Sequence, residues 1–140
     1  MNPPDLAVET PVAVAVASGQ DIVTARMRGR AMATQLGFPA ASATLIATAI
    51  SELARNILLY AGRGEIVLTA VEQDERRGLV VVARDEGPGI PDIPRVMQDG
   101  YSTSGRLGLG LPGVRRLMDD FEIRSRVGEG TMVVAKKWNS

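Results

Sequence analysis

The chain has 140 residues, of which 45% are hydrophobic, a size that fits one domain and enough apolar material for a core without disulfides. Sixteen basic and sixteen acidic residues cancel, so no global field exists to hold nucleic acid or an anionic membrane surface. Cys and His are both absent, which excludes thiol nucleophiles, imidazole triads and Cys/His zinc sites. Carboxylates, amides, hydroxyls, arginines and backbone remain.

Residues 1–10 contain Pro3 and Pro4 and little bulk, so they read as an extended, flexible arm without a functional part. The first twenty residues carry Asp5 and Glu9 and no Lys or Arg, and the apolar run Val12 to Ala17 is too short for a signal sequence or a membrane span. A cytoplasmic chain with no membrane partner is expected. The Val/Ala alternation of that run predicts a first strand. From Asp21, read as an N-cap, a helical pattern runs to Leu36 and stops at Gly37. Arg26, Arg28 and Arg30 on it, with Arg115 and Arg116 further on, read either as a solvated face or as a grip on an acidic partner.

Pro39 opens a second helix, to about Ala61. At about 100° per residue, Leu45, Ile46, Ala49, Ile50, Leu53, Ile57 and Tyr60 fall within a core stripe. Glu52 and Asn56 sit one turn apart on its rim, which taken alone is equally an ordinary boundary pair. After Gly62 to Gly64 the period changes. Glu65 to Val71 and Leu79 to Arg84 predict a hairpin around a charged turn, and the run Leu79 to Ala83, apolar on both faces, predicts a central strand of a covered sheet. A short helix is predicted near Asp92 to Gln98 and another from Gly110 to Asp119. Phe121 to Val127 and Met132 to Trp138 then close the chain as a hairpin around Gly128-Glu129-Gly130. The sum is one α/β (α+β) domain over residues 1–140, a two-layer sandwich of a mixed, largely antiparallel sheet with helices on one face.

Nine of the fifteen glycines lie between residues 85 and 130. Asp85-Glu86-Gly87-Pro88-Gly89-Ile90 follows a buried strand; its glycines remove Cβ atoms beside one carboxylate, leaving space for a flat ligand with an amino group, although a tight turn has the same composition. Arg106-Leu107-Gly108-Leu109-Gly110-Leu111 leads into a helix N-terminus, where free N–H groups and the helix dipole favour phosphate. Gly128-Glu129-Gly130-Thr131 alone is a hairpin turn. No Walker A sequence is present, since the only lysines are Lys136 and Lys137, and no dinucleotide fingerprint fits Gly108 and Gly110.

The ordered set Glu52/Asn56, DxGxG, GLGL and GxGT resembles the four nucleotide-binding boxes of the GHKL ATPase superfamily, with its Bergerat fold. The segments "DIVTARMRGRAMATQLGF", "ISELARN", "YAGRGEI", "DEGPGIPDI", "DGYSTSGRLGLGLPGVRRLMDDFEI" and "GEGT" are similar to the RsbT family of switch kinases over about residues 20–138. This resemblance implies a serine/threonine kinase that uses ATP and Mg²⁺, phosphorylates a STAS-domain antagonist or scaffold of a stressosome-like module, and activates a PP2C-type phosphatase.

Carried onto this chain, the family pattern makes Asn56 a ligand of Mg²⁺ and Glu52 the residue that orients or deprotonates the attacking hydroxyl. It makes Asp85 the acceptor from the adenine amino group, in a pocket shaped by Gly87, Gly89 and Ile90 with Thr131 close by. Gly108, Leu109, Gly110 and Leu111 would wrap the phosphates by backbone N–H, and Arg106 would add a charged contact. Ser102, Thr103 and Ser104 read as solvated residues of a short lid. The rival readings are an anti-sigma factor kinase of the RsbW and SpoIIAB kind that binds a sigma factor, an ATP-holding switch without turnover, and histidine-kinase catalysis in trans.

Overall fold

A computed structural model describes residues 6, 7, 10–98 and 110–139. The elements are β1 (Leu6–Ala7), β2 (Val12–Val16), α1 (Gly19–Gln35), α2 (Ala40–Tyr60), β3 (Gly64–Gln73), β4 (Arg76–Asp85), α3 (Ile93–Val96), α4 (Gly110–Leu117), β5 (Asp120–Arg126) and β6 (Gly130–Asn139). All pairings among the described strands are antiparallel, which sharpens the largely antiparallel sheet expected from the sequence. Their order is β1-β3-β4-β6-β5, with β2 alongside β1 on the same edge of β3. The arm read as unattached therefore contributes a short edge strand, with Leu6 opposite Glu72 and Ala7 opposite Val71.

The start of α1 differs from the sequence reading by three residues. Ser18 is the N-cap, and Asp21 lies in the first turn. Its Oδ2 accepts from Ala17 N–H at 2.8 Å and Ser18 N–H at 3.1 Å, so the carboxylate serves the helix end by reaching back. Pro39 is the N-cap of α2, one position before its expected place, a shift within the ordinary play of helix ends.

Ala43, Ile46, Ala47, Ala49, Ile50, Leu53, Ala54 and Ile57 of α2 are buried. Leu45, placed on the core stripe by its angle, is 38% exposed. The buried arc instead turns toward small residues, because α2 packs against α1 on one side and α4 on the other while lying on the sheet. Gly29 of α1 lets the two helices approach; a Cβ there would collide with Ile50.

Ile66, Leu68 and Ala70 of β3, Leu79, Val81 and Ala83 of β4, and Val133 and Ala135 of β6 form the sheet side of this core. The reading of Leu79 to Ala83 as covered on both faces is corrected. Val80 and Val82 are only half-buried, and their face carries Val67, Val134 and the Arg84–Glu65 ion pair instead of a second helix layer. The β-branched run gains its packing from neighbours across the strands on an open face. The expected seven-residue turn also contracts to Asp74-Glu75, both at positive φ (51° and 66°), so β3 and β4 continue to a two-residue hairpin.

Candidate functional site

The end of the core face is polar. Register places Asp85 of β4 opposite Thr131 of β6, and Thr131 opposite Ser125 of β5. Three polar side chains thus continue the row positions that carry Ala83, Val133 and Ile123 one step further in. Strand periodicity puts them on the helix side of the sheet, next to the C-terminal half of α2.

The loop after β4 is fastened to this row. Asp85 Oδ1 accepts from Gly87 N–H at 2.9 Å, Ile90 N–H donates to Ser125 Oγ at 2.7 Å, and Gly128 N–H donates to Pro88 O at 2.8 Å. The second oxygen of Asp85 has no hydrogen-bond partner among the described residues. The glycines serve this fastening. A Cβ on Gly87 would strike Ala61 at the end of α2, and one on Gly89, which has φ of +80°, would strike the Arg126 carbonyl. Gly130, with φ of +119°, faces the Asp85 carbonyl in the same way. The sequence reading that Gly87 and Gly89 open space for a ligand is therefore corrected: the space is filled by protein, and the glycines let loop, hairpin and helix press together.

A small cavity lies inside this joint. Leu53, Asn56, Ile57 and Tyr60 of α2 form one wall, Ala83, Asp85, Thr131 and Val133 of the sheet another, and Ile90 and Leu111 close its ends. The structure thus brings together Asn56, Asp85, Ile90, Leu111 and Thr131 of the residues singled out from sequence. Gly110 begins α4 next to Leu111. Arg106, Gly108 and Leu109, and with them Ser102, Thr103 and Ser104, lie outside the described residues. A larger cavity of about 850 Å³ shares Asp85 and Thr131 but opens toward Arg63, Glu65, Arg84, Arg124 and Met132. No residue of α2 lines it. Asn56 and Asp85 face each other only across the smaller one, which at about 20 Å³ has room for a single water.

Asn56 has an unused donor, which calls for an acceptor such as a water or a phosphate oxygen and leaves only its Oδ1 to face a cation. Its Nδ2 is buried without a hydrogen-bond partner, an arrangement that costs roughly 1–3 kcal/mol unless something completes it. No group of three or more His, Cys, Asp or Glu side chains suited to a metal occurs among the described residues. An ion here would take one amide oxygen from the protein, which fits Mg²⁺, a cation that keeps waters and phosphate oxygens around one or two protein ligands. Glu52 lies one turn earlier, 15% exposed, with Oε1 2.7 Å from Nη1 of Arg55. It does not line the cavity.

Sequence reasoning missed Arg55 and Ser125. Arg55 carries a weak signal, being a charge three residues after Glu52 on the same helix. Ser125 was visible as the hydroxyl in the apolar alternation Phe121, Ile123, Ser125, Val127.

Residues 16–137 match the model of the histidine kinase-like ATPase domain. The chain belongs to this family, whose nucleotide-binding domain the fold and the joint between α2 and the sheet describe. It is 58% identical over 118 residues to the serine/threonine-protein kinase RsbT of Bacillus subtilis, covering 84% of this chain and 89% of that one. Within the family it is a serine/threonine kinase of the RsbT type, and ATP is its nucleotide. An anti-sigma F factor of Caldanaerobacter subterraneus is 33% identical over 99 residues, covering 66% of this chain and 68% of that protein. Among solved structures, the RsbU and RsbW domains of a Mycobacterium tuberculosis protein share the fold, with a TM-score of 0.61 at 18% identity over 94% of this chain. The chain spans about a third (34%) of that larger protein.

Proposed function

We propose that this kinase phosphorylates a serine or threonine of a STAS-domain antagonist and, as a partner switch in stress signalling, activates a PP2C-type phosphatase in the cytoplasm. The observation that carries the reading is the joint itself: a carboxylate with one unused oxygen and an amide whose buried nitrogen has no partner face one small cavity from opposite layers. The carboxylate suits the amino group of a base and the amide oxygen a magnesium ion, and a nucleotide that uses both must widen a cavity now of about 20 Å³. The 58% identity to a protein named serine/threonine-protein kinase supports the reaction type, and the resemblance to the RsbT family of switch kinases makes a STAS protein and a phosphatase the partners to try.

In this reading Asp85 accepts a hydrogen bond from the adenine amino group through the oxygen that Gly87 leaves unused. Ile90 and Leu111 pack against the base, and Thr131 stands beside Asp85. Asn56 would hold Mg²⁺ through its amide oxygen, and the ion would supply charge neutralisation for the phosphates. Gly108, Leu109, Gly110 and Leu111 offer backbone N–H groups to the phosphates, with Arg106 adding a positive charge. Glu52 orients the substrate hydroxyl and takes its proton as the oxygen attacks the terminal phosphorus and ADP leaves. Positioning and charge neutralisation dominate phosphoryl transfer, so an ordinary carboxylate serves.

Transfer of labelled phosphate from ATP to purified STAS-domain proteins tests the reading; label on serine or threonine is expected, and its absence with every STAS protein of the source organism contradicts it. The anti-sigma alternative rests on the 33% identical relative and ranks lower. A saturable complex with a sigma factor in affinity capture would favour it instead.

A further inference from the structure

We propose that Ser125 is a positioning residue that sets the hydrogen-bonding direction of Thr131, and through it the preference for a purine bearing a 6-amino group. The inference rests on the nucleotide site proposed above and adds a residue to it. Ser125 Oγ makes three polar contacts: Ile90 N–H at 2.7 Å, Gly130 O at 3.0 Å and Thr131 Oγ1 at 2.8 Å. A hydroxyl has one proton to donate and two lone pairs to accept with. Ile90 N–H can only donate, and Gly130 O can only accept. Ser125 therefore gives its proton to Gly130 O, and its remaining lone pair receives the proton of Thr131. Any other assignment leaves two oxygens facing each other without a hydrogen.

The consequence lies on Thr131. Its single proton points at Ser125, so toward the cavity it presents lone pairs alone. Asp85, its register neighbour, also presents an acceptor there. Two acceptors side by side favour an amino group, directly or through a water, and disfavour a carbonyl oxygen at the same ring position. Ser125 also holds Ile90, a wall of the cavity, by the loop N–H. It thereby couples the β5–β6 hairpin, the loop after β4 and the base-reading row.

Calorimetric titration of the full chain with ATP and with ITP, each with Mg²⁺, tests this. Inosine carries a carbonyl where adenine carries the amino group. The wild-type chain is expected to favour ATP at least tenfold. In Ser125→Ala the Thr131 proton is free to turn toward the cavity, and the ATP-to-ITP ratio should fall about tenfold, the scale of one rearranged hydrogen bond. Ser125→Thr, which keeps the hydroxyl, should restore the ratio. An equal loss for both nucleotides, or no loss, would show a merely structural serine and overturn the inference while leaving the nucleotide site intact. Should Ser125→Ala fail to fold, Ser125→Cys, whose thiol is a weak hydrogen-bonding group, reads the same ratio. Wild-type protein that binds neither nucleotide would overturn the nucleotide site and this inference with it.

Discussion

At Asp85 one oxygen accepts from Gly87 N–H and the other has no hydrogen-bond partner among the described residues. Asp85→Asn keeps the shape but forces one N–H₂ group toward either Gly87 N–H or the ligand amine, so two donors meet. ATP affinity should fall roughly tenfold to a hundredfold, as for a lost hydrogen bond to a charged group, and calorimetry reads it directly. Glu52 predicts a different pattern, because it lies outside the cavity. Glu52→Ala should leave ATP affinity within about twofold while transfer drops on the order of a hundredfold or more, and comparing calorimetry with phosphate transfer separates the two. Equal loss of both would place Glu52 in nucleotide binding.

That Asn56, Asp85 and Thr131 belong to one candidate site was legible in the sequence through residue type and order. Ser125 and Arg55 were not, because their importance comes from what they touch. An arginine after a glutamate on a helix, or a serine on an edge strand, is ordinary until Ile90 N–H or the Glu52 carboxylate is seen against it. Gly87 and Gly89 were legible as special positions, but the packing they permit was not. Their spacing marks a special loop, but Ala61 and Arg126, which fill the space beside them, are 26 and 37 residues distant. Gly89→Ala should therefore destabilise the fold by roughly 2–4 kcal/mol, from left-handed backbone plus overpacking against the Arg126 carbonyl, as measured by urea unfolding.

Among the elements, helices announced themselves more faithfully than turns. The periodicity of α2 and its proline fixed its course, although Leu45 turned outward because two neighbouring helices widen and rotate the buried arc. The β3–β4 turn was overdrawn because Glu72, Gln73, Arg76 and Arg77 look like loop residues. Pairing carries them as strand: Glu72 faces Arg77 and Gln73 faces Arg76. Opposite charges across the ladder favour this register. The remaining two residues take positive φ without glycine. Glu75→Gly should thus stabilise the chain by about 0.5–1 kcal/mol, since relief of left-handed strain exceeds the added flexibility of the unfolded chain; a lower urea midpoint would contradict the turn geometry.

For the molecule as a whole, the sheet is the frame on which one joint is built. Its class was readable from two hairpins and long amphipathic helices, but its order was not. Nothing local says that β6 pairs with β4 as well as β5, and it is this pairing that brings Thr131 beside Asp85, 46 residues earlier. Helices cover one face, and the other face keeps charges paired, across strands in Arg84–Glu65 and along β5 in Arg124–Glu122. No helix among the described residues is long and apolar enough to cross a membrane. Because the site joins α2 to the sheet, its ligand should stabilise the entire fold. Mg²⁺-ATP at about 100 times its Kd should add roughly 2.7 kcal/mol, raising Tm by about 5–10 °C for a domain of this size, and Asp85→Asn should lose the shift at the same concentration.

In the proposed reaction this joint transfers phosphate to a partner. The most direct measurement follows label from ATP, with Mg²⁺, onto purified STAS-domain proteins, using the wild-type chain beside Glu52→Ala and Asp85→Asn. Label on a STAS serine or threonine, strongly reduced by both substitutions at an ATP concentration near the wild-type Kd, is the predicted result. Transfer at the wild-type level in both variants would contradict it.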